Sequence, residues 1–492
     1  SIMDKVTLNI GLRYDTLELK NNLGQVGIAL SDQWSPRIGL VWDPTQQGRS
    51  KIYAQYGRYY ENIPLDAANR ALSAESQISA THAPCRPTFV GRQACDAVSQ
   101  PTGGPPNIAG QAQQQNTPST GPSPSQVWGS TGTPYPSAVD PNLKSPSNDE
   151  IVVGGEYEII PNGRLGVNYT YRNLVNWVED MSLTNGQNYF IGNPGSGIAT
   201  PFPKAQRTYN AVTVNFTKSF ADLWLAQASY TWSKLEGNLD GLFRPQDGQL
   251  DPNINSTFDL IALLTNQYGP LAGDINNNIK IFLAREFPVI PVFSITVGAA
   301  FNANSGPPIN ALGGFGGGGF PPYGDNQAFI VTRGSAGRLP WVTSFDARVN
   351  FNYRISKDSV FTAGIEGFNL FNSQRPIQVD ERYGLYPASN TGVVPGAAQG
   401  SLPAPYGTVC QAPTTGTGTG TGAVAACEAN PLRAPNGSLP KPFYYAGTNL
   451  PVNVILPNIQ RQPTVLQSNI TWGTPLAYQG VRQFRFSVRL TF

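Results

Sequence analysis

Histidine and charged residues are scarce in this chain of 492 residues. Only one residue is histidine, and Asp, Glu, Lys and Arg together make up 13% of the chain, against about 25% in average soluble proteins. The 33 basic and 31 acidic residues leave a net charge of +2, so no broad electrostatic field is available to recruit nucleic acid. Any Ser/His/Asp or Cys/His mechanism would have to be built on His82, which lies in a predicted loop beside Pro84. The sequence therefore predicts neither an enzyme nor a cofactor.

Long apolar runs are also missing. The longest nearly apolar stretch, VIPVFSITVGAAF at 289–301, is shorter than the roughly 20 residues of a membrane-spanning helix and contains Pro291. The opening residues, SIMDKVTLNI, have no basic region followed by an apolar one, so they do not form a signal peptide. We therefore expect the sequence to be either a mature product or part of a longer chain.

The four cysteines form two local pairs in predicted loops, Cys85 with Cys95 and Cys410 with Cys427. Two disulfides, each constraining a long loop in an oxidising compartment, are the natural interpretation. A zinc site is the alternative, although the spacings are too wide for a CxxC knuckle and His82 is the only histidine that could join them. We predict the two disulfides and no metal site.

Glycine, proline and alternating segments are abundant instead. The 52 Gly and 43 Pro residues favour turns and irregular loops over helices. The stretch VRQFRFSVRLTF at 481–492 places polar residues on one face of a strand, and the other face carries Phe484, Phe486, Val488, Leu490 and Phe492. A half-buried edge strand of a soluble protein could carry this pattern. A membrane barrel accounts for it better, because its apolar face meets lipid and its polar face meets a hydrated lumen.

Similar alternation recurs in about twelve segments of the length that a tilted membrane strand needs. The clearest is SFDARVNFNYR at 344–354, in which apolar and polar residues alternate without a break. The segments lie at about 6–16, 34–42, 51–61, 150–160, 165–178, 207–216, 224–235, 278–287, 292–302, 344–354, 360–371 and 482–492.

The connections between these segments alternate in length. Short turns are predicted at 43–50, 161–164, 217–223, 288–291 and 355–359, and long loops at about 17–33, 62–149, 179–206, 236–277, 303–343 and 372–481. Outer-membrane barrels place short turns in the periplasm and long loops outside the cell, whereas a soluble sandwich has no reason to segregate loop lengths in this way. We predict an all-β, antiparallel transmembrane β-barrel of the bacterial outer membrane with long extracellular loops.

Three stretches resemble the barrel of TonB-dependent outer-membrane transporters and, within these, the Oar-like group of large bacterial receptors. They are WSPRIGLVWDPTQQGRSKIYAQYGRYYENIP at 34–64, LDPNINSTFDLIALLTNQYGPLAGD at 250–274 and GRLPWVTSFDARVNFNYRISKDSVFTAGIEGFNLFNSQ at 337–374. The resemblance implies a barrel of about 22 strands around an N-terminal plug, with energy supplied through TonB. Since this sequence contains no plug, no TonB box and about twelve strands, we expect residues 1–492 to match the C-terminal part of such a barrel.

The resemblance implies TonB-dependent transport or reception of a bulky ligand, such as a peptide, protein or glycan, that the outer loops capture. The candidate ligand contacts are aromatic residues of these loops, which could equally pack the loops together: Trp128, Tyr135, Phe315, Phe320, Tyr323, Tyr383, Tyr386, Tyr444 and Tyr445. The alternative is a surface-interaction barrel that anchors a cell-surface assembly without transport. The expected partners are outer-membrane lipid, the rest of the barrel and its plug from the same or a second chain, and TonB.

Overall fold

The computed structural model describes most of the predicted strands and part of the loops. The described residues are 5–20, 26–65, 75–80, 113–118, 139–184, 186, 189–246, 256–317, 320–387 and 472–492. At 75–80, 113–118, 314–317, 320–326 and 384–387 only the backbone is described. Across these ranges no helix is long and apolar enough to cross a membrane.

Twelve long strands form one sheet in the described part of the chain. They are β1 (Val6–Lys20), β2 (Val26–Trp42), β3 (Ser50–Tyr60), β4 (Ser147–Ile160), β5 (Gly163–Asn176), β6 (Arg207–Ala221), β7 (Trp224–Gly237), β8 (Asn277–Ile290), β9 (Phe293–Asn304), β10 (Val342–Arg354), β11 (Val360–Phe368) and β12 (Gln483–Thr491). Each strand pairs antiparallel with its neighbours in chain order, and the two-residue strand Gly269–Pro270 also pairs with β7. The predicted antiparallel barrel architecture is confirmed, and the total of 22 strands stays a prediction.

Smaller elements lie in the long connections. The short strands are Glu75–Ala80, Gln113–Pro118, Glu179–Met181, Phe190–Gly192, Leu312–Gly317, Phe320–Phe329, Pro376–Val379, Arg382–Pro387 and Pro475–Tyr478. Two 3₁₀ turns, Gly197–Ala199 and Ile261–Leu264, lie among them. These pieces form separate small sheets, so the long loops have structure of their own.

The connections at one end of the sheet are short, as predicted. They span 43–49, 161–162, 222–223, 291–292 and 355–359. The turn at 222–223 has only two residues, Asp222 and Leu223, and their φ angles of 52° and 65° are both positive. A two-residue hairpin turn that follows the right-handed twist of its strands needs this conformation.

The first predicted loop differs from the structure. Residues 17–33 were expected to form a loop, but β1 continues to Lys20 and β2 begins at Val26. Leu19 and Ile28 pair across this extended hairpin, and both side chains are buried. They pack with Ile63, which belongs to the next long loop. The sequence pattern alone did not reveal the extension, because the contacts that stabilise it come from distant parts of the chain.

The register aligns the apolar faces of neighbouring strands into a continuous band. One row of paired residues runs Leu8, Leu40, Ala54, Val153, Tyr169, Val212 and Trp232, and another runs Leu283, Ala299, Ala347, Gly367 and Phe484. Many of the large side chains in this band are exposed, including Ile10 at 73% and Phe486 at 75%. An exposed apolar band of this size, with no second layer packed on it among the described residues, is suited to contact with lipid.

Ionic contacts cross the opposite face of the sheet. Glu366 on β11 lies between Arg348 on β10, at 2.9 Å, and Arg485 on β12. Glu156 on β4 similarly lies between Lys51 at 3.5 Å and Arg164 at 3.6 Å. These charges join neighbouring strands on the face that the alternation assigns to a hydrated lumen.

The turn at 43–49 is organised around the carboxylate of Asp43. This carboxylate accepts hydrogen bonds from the hydroxyl group of Thr45 at 2.7 Å, the backbone N–H of Gly48 at 2.8 Å and the hydroxyl group of Ser50 at 2.9 Å. The Thr45 bond is the largest of several influences that together lower the pKa of Asp43 from 3.8 to about 2. Hydrogen bonds to an ionised carboxylate favour its charged form.

This shift predicts how the turn responds to acid. Because the folded-state pKa lies below the unfolded value of 3.8, the stabilisation is complete above that value and is lost as the pH falls through about 2. A ¹³C NMR titration of the Asp43 carboxyl group in detergent micelles checks the midpoint, and a midpoint near 3.8 contradicts the expectation. Thr45→Val, which keeps the side-chain shape but removes the hydroxyl group, should raise the midpoint.

Candidate functional site

The loops at the other end of the sheet pack into an ordered layer that we call the loop cap. It comprises the described residues within 61–65, 139–146, 177–206, 238–276, 305–341, 369–387 and 472–482. Most buried apolar residues of the described chain lie in or next to this cap, whereas many large apolar residues of the barrel strands are exposed. The hydrophobic effect therefore acts mainly to hold the loops to one another.

Four apolar clusters join successive loops of the cap. The first joins the β1–β2 hairpin to the next two loops, the second joins loops 177–206 and 238–276, the third joins loops 238–276 and 305–341, and the fourth joins loop 305–341 to the described residues of the last loop. Their buried members are, in turn, Leu19, Ile28, Leu30, Ile63, Val178 and Ile191; Leu174, Trp177, Met181, Phe190, Ala199, Phe202, Ala205, Leu239 and Phe258; Leu260, Ala262, Leu263 and Ala328; and Ile309, Ala311, Ile330, Ala336, Leu339, Val379, Tyr383 and Trp472. Each loop is thus held by the loops beside it.

The predicted ligand contacts fall into three groups. Tyr383 is 2% exposed, and its ring meets that of Trp472 edge-on at a centroid distance of 5.5 Å, so in this conformation it packs the last loop. Phe315, Phe320, Tyr323 and Tyr386 lie on the small sheet formed by Leu312–Gly317, Phe320–Phe329 and Arg382–Pro387, where the backbone alone is described. Outside the described residues lie Trp128, Tyr135, Tyr444, Tyr445, His82, Cys85, Cys95, Cys410 and Cys427. The ligand contacts and disulfides stay predictions.

A buried ion pair lies within the cap. Arg333 is 0% exposed, and its Nη1 atom lies 3.0 Å from Oδ2 of Asp240, which is also buried. The guanidinium group lies over the ring of Phe329 at 4.4 Å from the centroid. Burial lowers the pKa of Arg333, while the carboxylate of Asp240 opposes that change. The pair joins loop 238–276 to loop 305–341.

A second buried carboxyl group joins loop 305–341 to the last loop. Glu381 accepts hydrogen bonds from the backbone N–H of Asn310 at 2.8 Å and from its side-chain amide at 3.1 Å. Burial raises the pKa of Glu381, although these bonds favour the charged form. Asn310 is itself held in place, because its Oδ1 atom accepts a bond from the backbone N–H of Gly334 at 2.8 Å.

A second buried arginine, Arg244, contacts the ring of Phe329, over which Arg333 also lies. Arg244 donates a hydrogen bond to the backbone carbonyl of Gln327 at 2.7 Å and another to the Ser256 hydroxyl at 2.5 Å. Its guanidinium group lies 5.7 Å from the centroid of Phe329, which therefore contacts both Arg244 and Arg333. Sequence reasoning missed this cluster. The only signal available was the presence of arginine in loops that contain few charged residues.

The buried polar side chains of the described part of the cap are hydrogen-bonding and ionic groups. Throughout the ranges that the structure describes, no three His, Cys, Asp or Glu side chains converge on a position that could hold a metal ion. Guanidinium, carboxamide and carboxylate groups dominate its buried polar contacts. Contacts such as those of Arg244 with Gln327, Glu381 with Asn310, and Arg333 with Asp240 are internal, so these groups hold the loops together.

Comparison with known proteins places the sheet in a family. Residues 21–302 match the family model described as an outer membrane beta barrel domain. The chain belongs to this outer-membrane β-barrel family. It is also 43% identical to the TonB-dependent transporter Oar of Myxococcus xanthus over 392 residues, which are 78% of this chain and 36% of that protein. The chain thus spans about a third of the length of this relative, and the sequence resemblance to Oar-like transporters is confirmed.

Solved structures of low sequence identity also match this barrel. The outer membrane transporter YddB from Escherichia coli matches at 15% identity with a TM-score of 0.42, over 76% of this chain and 40% of that one. BauA, the ferric preacinetobactin receptor from Acinetobacter baumannii, matches at 11% identity with a TM-score of 0.40, over 76% of this chain and 37% of that one.

Family membership fixes the location of this barrel in the bacterial outer membrane. Barrels of this membrane turn their long loops outwards and their short turns towards the periplasm. The loop cap is therefore extracellular, and Asp43 lies in a periplasmic turn.

The extracellular cap contains a close backbone approach that only glycine permits. A Cβ atom at Gly269 would overlap the backbone carbonyl oxygen of Arg333. We expect Gly269→Ala to displace the segment that carries Arg333 and to destabilise the cap by about 1–3 kcal/mol. Hydrogen exchange of the amides at 330–339 measures the effect. Gly273→Ala is the control, because its added Cβ would meet only the side chain of Leu235 at 3.4 Å; equal effects of the two variants contradict the expectation.

Proposed function

We propose that this barrel serves TonB-dependent transport or reception of a bulky ligand, of the size of a peptide, protein or glycan, across the outer membrane. The observation that carries the proposal is the 43% identity to the transporter Oar over 78% of the chain. Because the chain spans 36% of that relative, the plug and the coupling to TonB are part of the proposal.

The extracellular cap supports reception of a ligand. Its loops are held together by apolar clusters and by the buried pair of Asp240 and Arg333, so they present a defined surface rather than separate segments. A defined surface loses less conformational entropy on binding than mobile loops do. The predicted aromatic contacts on the same loops add rings that suit adaptable contacts with a large ligand.

The polar face of the sheet supports passage of a ligand or contact with a plug. Paired charges such as Arg348 with Glu366 line this face, and a polar solute can exchange hydrogen bonds with them without entering lipid. Among the described residues β1 pairs only with β2, and β12 only with β11. We propose that further strands, from the same or a second chain, pair with these two edges and enclose the lumen.

Comparison of solutes on the two sides of the outer membrane tests this function. The gene is deleted in the source bacterium, and peptides, proteins and glycans of the medium and periplasm are quantified by mass spectrometry. The deletion should redistribute a defined set of large solutes across the outer membrane. Collapsing the proton-motive force with a protonophore should redistribute the same set in wild-type cells, and in the deletion strain it should not change the distribution of that set any further.

Two outcomes contradict the proposal in different ways. Redistribution that depends on the protein but not on the proton-motive force overturns the coupling to TonB. An unchanged solute profile, together with loss of a surface assembly that co-purifies with the wild-type protein, overturns transport and supports the anchoring alternative.

A further inference from the structure

Two basic residues lie on the lipid-facing side of the barrel near its periplasmic end. Lys218 on β6 continues the outward series that includes Phe216, and Arg285 on β8 continues the outward series that includes Leu283. Between them Trp224 opens β7 and pairs in register with Arg285. Together with Phe287, these residues form what we call the basic–aromatic patch: Lys218, Trp224, Arg285 and Phe287.

The depth of the patch suits the phospholipid headgroup level. Trp224 directly follows the turn at 222–223, and tryptophan favours the membrane interface. A cation on the lipid-facing side of a barrel is costly at the bilayer midplane but is tolerated near the interfaces. Arg285 therefore lies at a level where its charge is tolerated and where lipid phosphates are found.

The two cations have different environments. The Lys218 side chain is 3% exposed, its Nζ atom donates to the carbonyl of Ala221 at 2.9 Å, and it lies 4.4 Å from the ring centroid of Trp224. Arg285 is exposed, and its guanidinium group lies 5.2 Å from the ring centroid of Phe287. Arg285 is therefore the group that an external ligand can reach, and Lys218 adds positive charge beside Trp224.

Neither cation forms an ion pair with a carboxylate of the described residues. Glu286, the nearest acidic residue to Arg285 along β8, belongs to the opposite face because side chains alternate along a strand. Asp222 lies in the exposed periplasmic turn. The patch therefore presents positive charge to the membrane without an acidic partner.

Two cations at the extracellular end of the same outward face are paired with carboxylates. Arg58 forms an ion pair with Asp149 at 2.7 Å, and Lys234 forms one with Glu236 at 2.7 Å. The protein thus supplies an anion for these two outward cations, and the described residues supply none for Arg285 at the periplasmic end. A phosphate in the periplasmic leaflet would complete the missing pair, since a guanidinium group matches phosphate oxygens in a two-pronged arrangement.

We propose that the basic–aromatic patch binds the phosphate of a glycerophospholipid in the periplasmic leaflet of the outer membrane. Arg285 donates hydrogen bonds to the phosphate oxygens, and Lys218 strengthens the local positive charge. Trp224 and Phe287 contact the glycerol and the first methylene groups of the lipid. The site is independent of the transported ligand, because it lies outside the lumen.

Native mass spectrometry of the full protein extracted from its outer membrane tests the proposal. The protein is titrated with phosphatidylglycerol or with diacylglycerol, which has the same acyl chains but no phosphate. Arg285→Gln should lower the affinity for phosphatidylglycerol about tenfold or more, in keeping with the loss of hydrogen bonds to a charged group. Lys280→Gln is the matched control, because Lys280 lies on the same strand five residues earlier and faces the lumen.

The outcomes separate specific binding from general charge attraction. An unchanged affinity in Arg285→Gln, an equal loss in Lys280→Gln, or equal binding of diacylglycerol overturns the proposal. Arg285→Lys keeps the charge but removes the two-pronged geometry, and it should lose about two- to threefold in affinity. This variant also decides the proposal if Arg285→Gln does not fold, because full retention of affinity in Arg285→Lys contradicts an arginine–phosphate contact.

Discussion

Replacing Asp240 with asparagine should destabilise the extracellular loop cap by about 3–5 kcal/mol, the usual cost of leaving one member of a buried ion pair without its partner. The reason is the environment of Arg333, which is 0% exposed and whose Nη1 atom lies 3.0 Å from Asp240. The asparagine side chain has nearly the same shape but no charge. Because burial already disfavours the charged guanidinium group, loss of the carboxylate leaves that cost unopposed.

Hydrogen exchange measures this effect separately in the cap and in the barrel. In Asp240→Asn, the amides of loops 256–276 and 330–339 should exchange faster by the factor that corresponds to the lost stability, and those of β8 to β10 should change little. Asp222→Asn is the control, since Asp222 is exposed in a periplasmic turn. Equal protection of the cap in both variants contradicts the assigned role of the pair.

A double variant distinguishes the ion pair from its separate side chains. Asp240→Asn combined with Arg333→Met removes both charges and leaves an apolar side chain against Phe329, which Arg333 contacts in the wild type. Replacing both members of a buried pair is commonly far less costly than removing one. We therefore expect the double variant to recover most of the lost protection, and its failure to recover would assign the effect to packing instead of charge.

The barrel strands were predictable from sequence because they need only one property. Each strand separates lipid from a hydrated lumen, so alternation with a period of two is enough to identify it, as along Val342–Arg354. All twelve long strands of the main sheet, β1 to β12, overlap predicted segments. The extension of the first hairpin was missed, since Leu19 and Ile28 depend on contacts with Ile63 rather than on a local pattern.

The cap could not be predicted in the same way. Arg244 bonds to Gln327, which lies 83 residues further along the chain, and the partners Asp240 and Arg333 are similarly remote from each other. No local periodicity in the sequence indicates which loop packs against which. Composition likewise identified Tyr383 as a loop aromatic but could not tell that its ring is buried against Trp472.

Replacing Ile281 with arginine should destabilise the barrel by about 2–4 kcal/mol, because it places a charge in the hydrocarbon region. Ile281 is 46% exposed on the outward face of β8 and pairs with Ala228 and Phe301, so little protein covers it. The exposure that would make this substitution harmless in water makes it costly in lipid. The effect thus reports directly on the solvent that contacts this face.

The matched control is Gln227→Arg. Gln227 lies on the neighbouring strand β7, next to Ala228, and its side chain faces the lumen. The arginine there stays hydrated, so its effect on stability should be within about 0.5 kcal/mol of zero, as for surface substitutions in general. Urea unfolding of the full protein in phospholipid vesicles measures both variants. Equal free energies of unfolding would mean that the band containing Ile281 does not face lipid, and the membrane orientation of the sheet would then have to be reversed or abandoned.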